Sequence, residues 1–327
     1  TDAALTLGYL NPAAFLGGRM PLDTGAALAA LRPLATRLGR STLDTALAVM
    51  TIANETMVKA IQDITVREGL DPADSLLVGG GGAAGLNIVP IARALGMRRV
   101  LVPRTAGALS ACGAHFSDVV REFHASRFAN SAAFDFDAVN DTLRMLDAQL
   151  EAFAATLRGR GLASFEREFL VEARYAGQIW ELAVPLRAPR LHGAAALATL
   201  VEDFHREHER VFAVRDPHAA VECIHWRGRL AARLPGGSIT PDAGFGPATP
   251  SPYAQRAAAF GTLRAVSAPA AIHAGADLRP GHRVPGPAII EEPTTTLVVY
   301  PDCCAQVTAH GHYLLTLGEP GPGRLPS

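Results

Sequence analysis

The fold is decided by Ser75–Gly85, which reads SLLVGGGGAAG. A short apolar run breaks into four consecutive glycines, and a helix-compatible segment, Leu86–Gly96, follows. Glycines at the C-terminal end of a strand let the backbone approach a ligand closely, and the start of the next helix offers unpaired N–H groups. The stretch therefore predicts a strand–loop–helix unit and indicates a nucleotide or another phosphate-bearing ligand.

A second strand completes this unit. The pattern predicts strands over Leu76–Val78 and Val100–Val102, joined by a helix over Leu86–Leu95. Such a β-α-β unit has parallel strands and a right-handed crossover. A long helix is predicted upstream over Ser41–Gly69, and its apolar stripe is interrupted by Asn54. Because a buried polar side chain needs a hydrogen-bond partner, Asn54 is either satisfied by neighbouring backbone or lines a site between domains.

Composition changes beyond residue 122, and the remainder is mixed and rich in strands. Helices are predicted over Phe134–Arg160 and Ala194–Phe212, and the Pro- and Gly-rich stretch Leu234–Pro252 is predicted to be a loop or linker. The predicted strands are Glu168–Tyr175 and Ile179–Pro185, joined by a hairpin turn at Ala176–Gln178, then Val221–Arg233, Gly261–Ala265, Ala288–Glu291, Thr296–Tyr300 and Tyr313–Leu317. We expect an α/β portion over residues 1–122 and a mixed α+β, strand-rich domain over residues 123–327.

Composition excludes several classes of function. The 327 residues carry 30 basic and 31 acidic side chains, so there is no global electrostatic case for binding nucleic acid or an anionic membrane. No apolar run reaches the roughly 18 residues of a membrane span, and the N-terminus lacks the pattern of a signal peptide. The first residue is Thr1 rather than Met, which suggests processing or excision from something longer.

Patterns typical of metal ligands are weak. None of the four cysteines forms a C-x-x-C pair, which predicts reduced thiols in a cytoplasmic protein. His205 and His208 are three residues apart on a predicted helix. A helical His-x-x-His pair can bind a metal, but a solvated charged face is the interpretation that we favour.

The glycine loop formally satisfies the dinucleotide pattern G-x-G-x-x-G over Gly80–Gly85. The acidic residue expected about 20 positions on is absent, and Arg104 stands there instead. This excludes an NAD-type site but leaves an NADP-type site open, because Arg104 could meet a 2′-phosphate. A P-loop NTPase is excluded since no lysine lies near the loop.

Two pairs of charged residues stand out elsewhere. Asp2 and Arg19 lie in short, loop-like segments, where each could supply charge to a bound phosphate or metal. Glu291 and Glu292 are adjacent, so along a strand they point to opposite faces and do not form an acid/base pair. We expect them to stabilise a turn.

Short strings spread along the chain occur in the order that a known family shows. They are Thr1-Asp2-Ala3, FLGGRM at Phe15–Met20, IANETM at Ile52–Met57, the glycine loop, Val102-Pro103, GALSA at Gly107–Ala111, RYAGQ at Arg174–Gln178 with Glu181, and GPAIIE at Gly286–Glu291. Together they resemble the C-terminal part of the hydantoinase A / 5-oxoprolinase / acetone carboxylase β-subunit family. The resemblance covers essentially the whole chain.

The resemblance implies an actin/Hsp70-like (ribonuclease H-like) ATPase fold followed by a mixed C-terminal domain. It also implies an enzyme that uses ATP and Mg²⁺ to phosphorylate a carbonyl-type oxygen, for hydrolysis of a cyclic amide or for carboxylation of a ketone. A hydantoinase B-type subunit usually completes the reaction. We expect lactam hydrolysis, the commoner chemistry; an NADP-dependent oxidoreductase and a non-catalytic scaffold subunit are the alternatives from other classes.

Site residues follow from the matched strings. The implied adenosine-contacting residues are Gly80, Gly81, Gly82, Ala83 and Asn87, and the candidate catalytic residues are Asp2, Arg19 and Asn54. Asn87 stands where the family usually has a histidine, and an amide does not perform the proton chemistry of imidazole.

One part of the family pattern is missing from this sequence. In the family, the phosphate-binding segments of the D-x-G-G-T type lie upstream of the position that matches Thr1, and none occurs in this sequence. We therefore expect the chain to be a C-terminal half that needs an N-terminal ATPase half or chain, and to bind ATP poorly alone.

Overall fold

The computed structural model describes residues 1–234, 249–262 and 264–318, so most of the predicted loop Leu234–Pro252 lies outside the described residues. The helices are α1 (Asp2–Thr6), α2 (Thr24–Leu38), α3 (Thr42–Arg67), α4 (Ala84–Ala94), α5 (Leu109–Phe116), α6 (Phe136–Arg158) and α7 (Gly193–Phe212). The strands are β1 (Leu77–Val78), β2 (Arg99–Val102), β3 (Val119–Asn130), β4 (Phe165–Tyr175), β5 (Leu182–Pro185), β6 (Val221–Ala232), β7 (Ala254–Phe260), β8 (Val266–Ala274), β9 (Arg283–Pro285), β10 (Ala288–Glu292), β11 (Thr295–Val299), β12 (Cys303–Val307) and β13 (Tyr313–Leu317). No helix among these residues is long and apolar enough to cross a membrane.

The chain forms two compact units. In its described parts, the first unit holds residues 1–115, 249–262 and 264–318, and the second unit holds residues 116–234. The predicted domains 1–122 and 123–327 are contiguous stretches, and that division stays a prediction. The first compact unit is not contiguous, because strands from the end of the chain pair with strands from its beginning.

The first unit contains two of the three sheets of this mixed α/β protein. One sheet has the strand order β1-β2-β13-β12-β9, and the other has the order β11-β10-β8-β7. The predicted β-α-β unit is present, since β1 and β2 pair in parallel and α4 connects them. The neighbour of β2 on its other side is the antiparallel β13, which makes this sheet mixed.

Helix α3 forms as predicted, but only part of its apolar stripe is buried. Ser41 caps the helix by accepting a hydrogen bond from the Asp44 N–H at 3.0 Å. Leu47 is 4% exposed, whereas Ile64 is 64% exposed. The predicted stripe is therefore buried at Leu47, partly buried at Met57 and Ile61, and exposed at Ile64.

The predicted strand Gly261–Ala265 does not form in its described residues, 261, 262, 264 and 265, which lie between the antiparallel strands β7 and β8. Gly261 has a φ of +145°, and a Cβ there would collide with the backbone of Arg264, so this position requires glycine. The apolar residues that flank Gly261 made this segment resemble part of a strand.

The second unit is a four-stranded antiparallel sheet with helices α6 and α7. Its strand order is β3-β6-β4-β5, and its core includes the fully buried Trp226, Leu143 and Phe204. Gln178 N–H donates to the Tyr175 carbonyl at 3.0 Å, which closes the predicted turn between β4 and β5. Strand β5 begins at Leu182 rather than at the predicted Ile179.

His205 and His208 of α7 are buried, so the expectation of a solvated face is wrong. Asp216 N–H donates to the Tyr175 hydroxyl at 3.0 Å, and this hydroxyl in turn lies 2.7 Å from His205 Nδ1. His208 Nδ1 donates to the Val214 carbonyl at 2.7 Å. Both rings also pack against Tyr175, which makes them part of the unit's core rather than a metal site.

Substitution of a loop-following glycine tests how tightly the first unit packs. A Cβ at Gly85 of α4 would lie 3.0 Å from Leu297 Cα and closer still to the Thr296 carbonyl oxygen. We expect Gly85→Ala to lower the free energy of unfolding by about 1–3 kcal/mol, the usual cost of overpacking. In the helical control Gly113→Ala the new methyl group meets no atom within 4 Å, and we expect up to about 1 kcal/mol of stabilisation. Urea denaturation measures both, and equal effects would contradict the close packing.

The histidine core of the second unit makes its stability depend on pH. Burial lowers the pKa of His205 below its ordinary value of 6.5, so the folded state prefers the neutral ring. The resulting stability is complete above pH 6.5 and falls as the pH drops through the folded-state pKa. We expect His205→Gln, which keeps an acceptor for the Tyr175 hydroxyl, to flatten this part of the profile of unfolding free energy against pH. An unchanged slope would contradict the assignment.

Candidate functional site

A hairpin turn fills the space beside the glycine loop. Thr294 belongs to the turn between β10 and β11, and Thr295 Oγ1 donates to the Gly82 carbonyl at 3.1 Å. A Cβ at Gly82 would lie 3.1 Å from the Thr294 carbonyl oxygen, and one at Gly107 would lie 2.5 Å from it. Gly82 of the predicted site, and Gly107 outside it, are therefore explained by packing within the protein, because a side chain at either position would press on this hairpin.

Only the centre of the loop faces open space. Cβ atoms at Gly79 and Gly80 would each come within 2.7 Å of a side chain, that of Ile88 or Leu109. Gly81 has a φ of +113°, and a Cβ there would meet no atom within 4 Å. Among the five predicted adenosine contacts, Gly81 therefore stands out: its positive φ favours glycine, and the space beside it is open.

Helix α4 starts at this opening without a capping side chain. Its N-cap residue is Ala83, which has no side-chain acceptor, and both Ala83 and Gly82 are exposed. The first N–H groups of a helix otherwise need a partner such as a side chain, water or an anion. This arrangement keeps the predicted nucleotide contact chemically reasonable at Gly81–Ala83.

Two amide side chains on helices α3 and α4 have buried oxygens without partners. Asn54 is 9% exposed, and no described group donates a hydrogen bond to its Oδ1. The buried Oδ1 of Asn87 also accepts no hydrogen bond from any described group. Since an unsatisfied buried acceptor costs about 1–3 kcal/mol, these oxygens favour a bound donor over a purely structural role.

The loop that carries Arg19 reaches the same hairpin. Leu16, Gly17 and Gly18 all have positive φ angles, and a Cβ at Gly17 would lie 3.6 Å from Pro293 Cβ. A left-handed leucine is uncommon, and such conformations concentrate at functional sites. Arg19 is exposed and has no ion-pair partner among the described residues.

Asp2 has a simpler explanation. It is exposed in the first turn of α1, where a carboxylate interacts favourably with the helix dipole. No hydrogen bond or ion pair joins its side chain to another described residue. The structure brings the Arg19 loop and the glycine loop to one hairpin, but shows no contact that joins Asp2 to them.

Glu291 and Glu292 point to opposite faces of β10 and are both engaged in ion pairs. Glu291 accepts from Arg256 at 2.9 Å and from the Tyr253 hydroxyl at 2.6 Å. Glu292, whose side chain is 6% exposed, pairs with Arg104 Nε at 3.0 Å and accepts from the Tyr313 hydroxyl. Both therefore hold the strand that carries the hairpin, as a turn-stabilising role requires.

The Arg104 guanidinium is engaged within the protein through Nε and Nη2. Besides its ion pair with Glu292, it donates to the carbonyls of Gly275 and Leu278 at 3.0 and 3.2 Å. Burial and the nearby Glu292 carboxylate raise the pKa of Tyr313, whose ring lies against the same guanidinium. These contacts give Arg104 a role within the protein itself, which weakens the NADP interpretation.

The second unit contains a different group of potential ligands. One ligand atom each from Glu172, Glu181 and His225 lies within 4.8 Å of the others. Arg227 approaches Glu172 to 3.4 Å, and Arg174 approaches Glu181 to 3.8 Å. These arginines already neutralise the carboxylates, so the cluster is accounted for as an ion-pair network.

The hairpin and the amide pair are the parts of the site that sequence reasoning missed. Three threonines after Pro293 were visible in the sequence, but only the fold brings them against Gly82 and Gly107. The interruption of the α3 stripe did mark Asn54. Nothing in the sequence indicated that its oxygen, like that of Asn87, would have no partner.

Comparisons of the sequence with family models and with known proteins all indicate the same family. Residues 1–123 match the family described as "Hydantoinase/oxoprolinase", and residues 156–319 match "Hydantoinase/oxoprolinase C-terminal domain". The chain is 32% identical to caprolactamase subunit alpha of Pseudomonas jessenii over 98% of its length and 46% of that protein. It is 27% identical to the acetone carboxylase beta subunit of Xanthobacter autotrophicus, over 98% of this chain and 46% of that one.

Solved structures agree with these sequence matches. The crystal structure of the ATP-dependent caprolactamase from Pseudomonas jessenii superposes with a TM-score of 0.76 at 31% identity, over 98% of this chain and 46% of that one. A nucleotide-free structure of acetone carboxylase gives a TM-score of 0.71 at 25% identity, over 97% of this chain and 46% of that one. The chain spans about half the length of these relatives. It belongs to the hydantoinase/oxoprolinase family.

Proposed function

We propose that this chain is the C-terminal half of the ATP-using part of a cyclic amide hydrolase. One observation carries the proposal, namely the match to the ATP-dependent caprolactamase, at 32% identity in sequence and a TM-score of 0.76 in structure. Both matches extend over 98% of the chain and therefore include both compact units. The substrate class is a lactam.

The chain's own contribution is the adenosine side of an actin-like ATPase cleft. Gly82 and Ala83 offer backbone N–H groups at an open position, and the unpartnered oxygens of Asn54 and Asn87 accept from bound hydroxyl or amino groups. Arg19 supplies a free cation on a loop that meets the same hairpin. ATP with Mg²⁺ fits this donor and acceptor set.

ATP makes lactam opening feasible. An amide oxygen is a poor leaving group; attack of this oxygen on the terminal phosphorus of ATP releases ADP and leaves a phosphate ester-like group on carbon. Water then adds to that carbon, and the C–N bond breaks as the nitrogen takes up a proton, which gives a free amine and an acyl phosphate. A second water hydrolyses the acyl phosphate, so that phosphate is released and the carboxylate of the amino acid remains. Catalysis of the phosphoryl step consists mainly of positioning and charge stabilisation, which is what a cleft between two halves provides.

Exposed apolar surface on the first unit supports a missing half of the ATPase. Helix α3 exposes Ile52, Ile64 and Val66, and the two-residue edge strand β1 exposes Val78. Apolar surface on this scale marks an interface. We assign it to an N-terminal ATPase half or chain, and a hydantoinase B-type subunit completes the assembly.

Ketone carboxylation is the second candidate. The acetone carboxylase beta subunit and structure match nearly the same length of chain, although at lower identity and TM-score than caprolactamase. The two chemistries share ATP activation of an oxygen and differ in what attacks the activated carbon. A substrate panel separates them.

The deciding experiment reconstitutes the chain with its N-terminal half and a B-type subunit. We expect phosphate release that depends on a lactam, with caprolactam, 5-oxoproline and hydantoin as the panel, and an amino acid product detected by mass spectrometry. Acetone with bicarbonate is the competing arm. Turnover of ketone without lactam would replace the first candidate with the second, and turnover of neither would refute both.

The chain alone is expected to bind ATP poorly, because it supplies only one side of the cleft. Isothermal titration with Mg-ATP measures this, and the control is the same titration after the N-terminal half is added. We expect at least about a tenfold gain in affinity on addition, which corresponds to about 1.4 kcal/mol. Tight binding by the chain alone would contradict the split cleft.

A substitution at Asn54 distinguishes a functional role of this residue from a structural one. Replacing an unsatisfied buried amide with an apolar side chain of similar shape is nearly neutral or stabilising. We therefore expect Asn54→Leu to retain the melting temperature while ATP-dependent turnover of the assembled enzyme falls at least about tenfold, or about 1.4 kcal/mol of transition-state stabilisation. Glu55→Gln, one position along on the exposed face, is the control. Unchanged turnover in Asn54→Leu would assign the residue to the core.

A further inference from the structure

One buried carboxylate connects the two sheets of the first unit. Glu292 is the last residue of β10, and its side chain is 6% exposed. It forms an ion pair with Arg104 Nε at 3.0 Å and accepts a hydrogen bond from the Tyr313 hydroxyl. Arg104 lies just beyond β2 and Tyr313 begins β13, and both strands belong to the sheet of β1, which the glycine loop follows. We call these three residues the Glu292 cluster.

The first connection from the cluster to the glycine loop runs through Arg104. This residue lies in a turn in which the Ala106 N–H donates to the Pro103 carbonyl at 2.9 Å. The Ala106 carbonyl in turn accepts from the Gly81 N–H at 2.7 Å. Gly81, the loop residue with a positive φ and open space beside it, is therefore bound to the turn that Arg104 belongs to.

The second connection runs through the β10–β11 hairpin. Glu292 pairs with Thr295 across the hairpin. Thr295 Oγ1 donates to the Gly82 carbonyl at 3.1 Å. Two successive residues of the glycine loop are thus held by two different segments. Glu292 lies in one of these segments and binds the other through Arg104.

The Glu292 carboxylate is closely confined. A Cβ at Gly275 would collide with it, so the backbone of Gly275 lies directly against it. Arg104 Nη2 donates to the carbonyl of the same glycine at 3.0 Å, which fixes the guanidinium beside the carboxylate. Burial and the Glu292 carboxylate raise the pKa of Tyr313, so its hydroxyl stays protonated and continues to donate. Because the surroundings are close-packed, the cluster holds its segments in one arrangement.

The neighbouring glutamate has no such connection to the loop. Glu291 lies on the opposite face of β10, and its partners are Arg256, Tyr253 and Asn11. Among the hydrogen bonds of the described residues, none joins these partners to residues 79–86. The two adjacent carboxylates share a strand, a charge and an arginine partner, and they differ in whether they reach the glycine loop.

We propose that Glu292 is a positioning residue for the nucleotide site, which it holds in shape through Arg104 on one side and the β10–β11 hairpin on the other. The inference rests on the proposed function, in which Gly82 and Ala83 meet ATP. A backbone that is ordered before its ligand arrives avoids the cost of ordering it on binding. Loss of the Glu292 contacts therefore weakens ATP binding more than it slows the phosphoryl step.

Hydrogen exchange of the chain without nucleotide tests the positioning directly. We expect Glu292→Gln, which removes the charge and keeps the shape, to speed exchange of the Gly81 amide at least about tenfold, because its acceptor Ala106 is no longer held in place. The matched control Glu291→Gln should change this rate less than about twofold. Tyr313→Phe removes only the hydroxyl contact and should also speed exchange, which decides the matter should Glu292→Gln fail to fold. Melting temperatures check the folding of each variant.

Kinetics of the assembled enzyme test the link to the ligand. We expect Glu292→Gln to raise the KM for ATP about tenfold while kcat changes less than about twofold, as for a loss of binding that is equal in the ground state and the transition state. Glu291→Gln should leave both constants unchanged. A merely structural role of Glu292 would lower the amount of active enzyme, and therefore the apparent kcat, without raising the KM.

Two results would overturn the proposal. One is a Gly81 exchange rate that stays the same in Glu292→Gln, or that rises equally in Glu291→Gln. The other is an unchanged KM for ATP in Glu292→Gln of an enzyme that turns over ATP. Exchange is measured without nucleotide. An assembly without ATP turnover would therefore refute the proposed function, while faster exchange confined to Glu292→Gln would still establish that this carboxylate positions the loop.

Discussion

The first unit depends on the contact between the β10–β11 hairpin and the glycine-rich segments beside it. Gly82, Gly85 and Gly107 lie so close to the backbone of residues 294–297 that a methyl group at any of them would press on it. Because protein interiors are close-packed, such a contact admits one arrangement. The ion pairs of Glu291 and Glu292 hold the same strand from both faces, so the loop, the hairpin and the start of α4 are positioned as one body.

This contact changes the meaning of the glycine run. A glycine cluster after a strand indicates that another group approaches the backbone closely. The sequence alone does not say whether that group belongs to the protein or to a ligand. Here Gly79, Gly80 and Gly82 accommodate neighbouring parts of the protein, and a Cβ at Gly81 would meet no atom within 4 Å. The Arg19 loop adds a positive charge to the candidate site, and the side-chain oxygens of Asn54 and Asn87 add two acceptors without partners.

Local patterns predicted the elements whose periodicity is strong, such as α3, α6 and α7. They failed where tertiary packing decides. Neither helix α2, which contains Pro33, nor strand β3, which has exposed residues on both faces, is among the predicted elements. His205 and His208 looked solvated because charged residues surround them in sequence, yet Tyr175 from a distant strand covers both. The partners that define a site come from segments far apart, which periodicity does not reveal.

The pairing of β2 with β13 has a consequence for how the chain is made. All residues of the second unit lie between these two strands in sequence, so that unit can close around Trp226 while β2 is paired only with β1. Contacts of such large sequence separation form slowly, and a sheet edge left open with exposed apolar surface is prone to associate wrongly in the interval. During synthesis the whole second unit is made before β13, and the first unit cannot complete its sheet until β13 is made. A chaperone that shields β2 during this interval would act on the very surface that later forms the core.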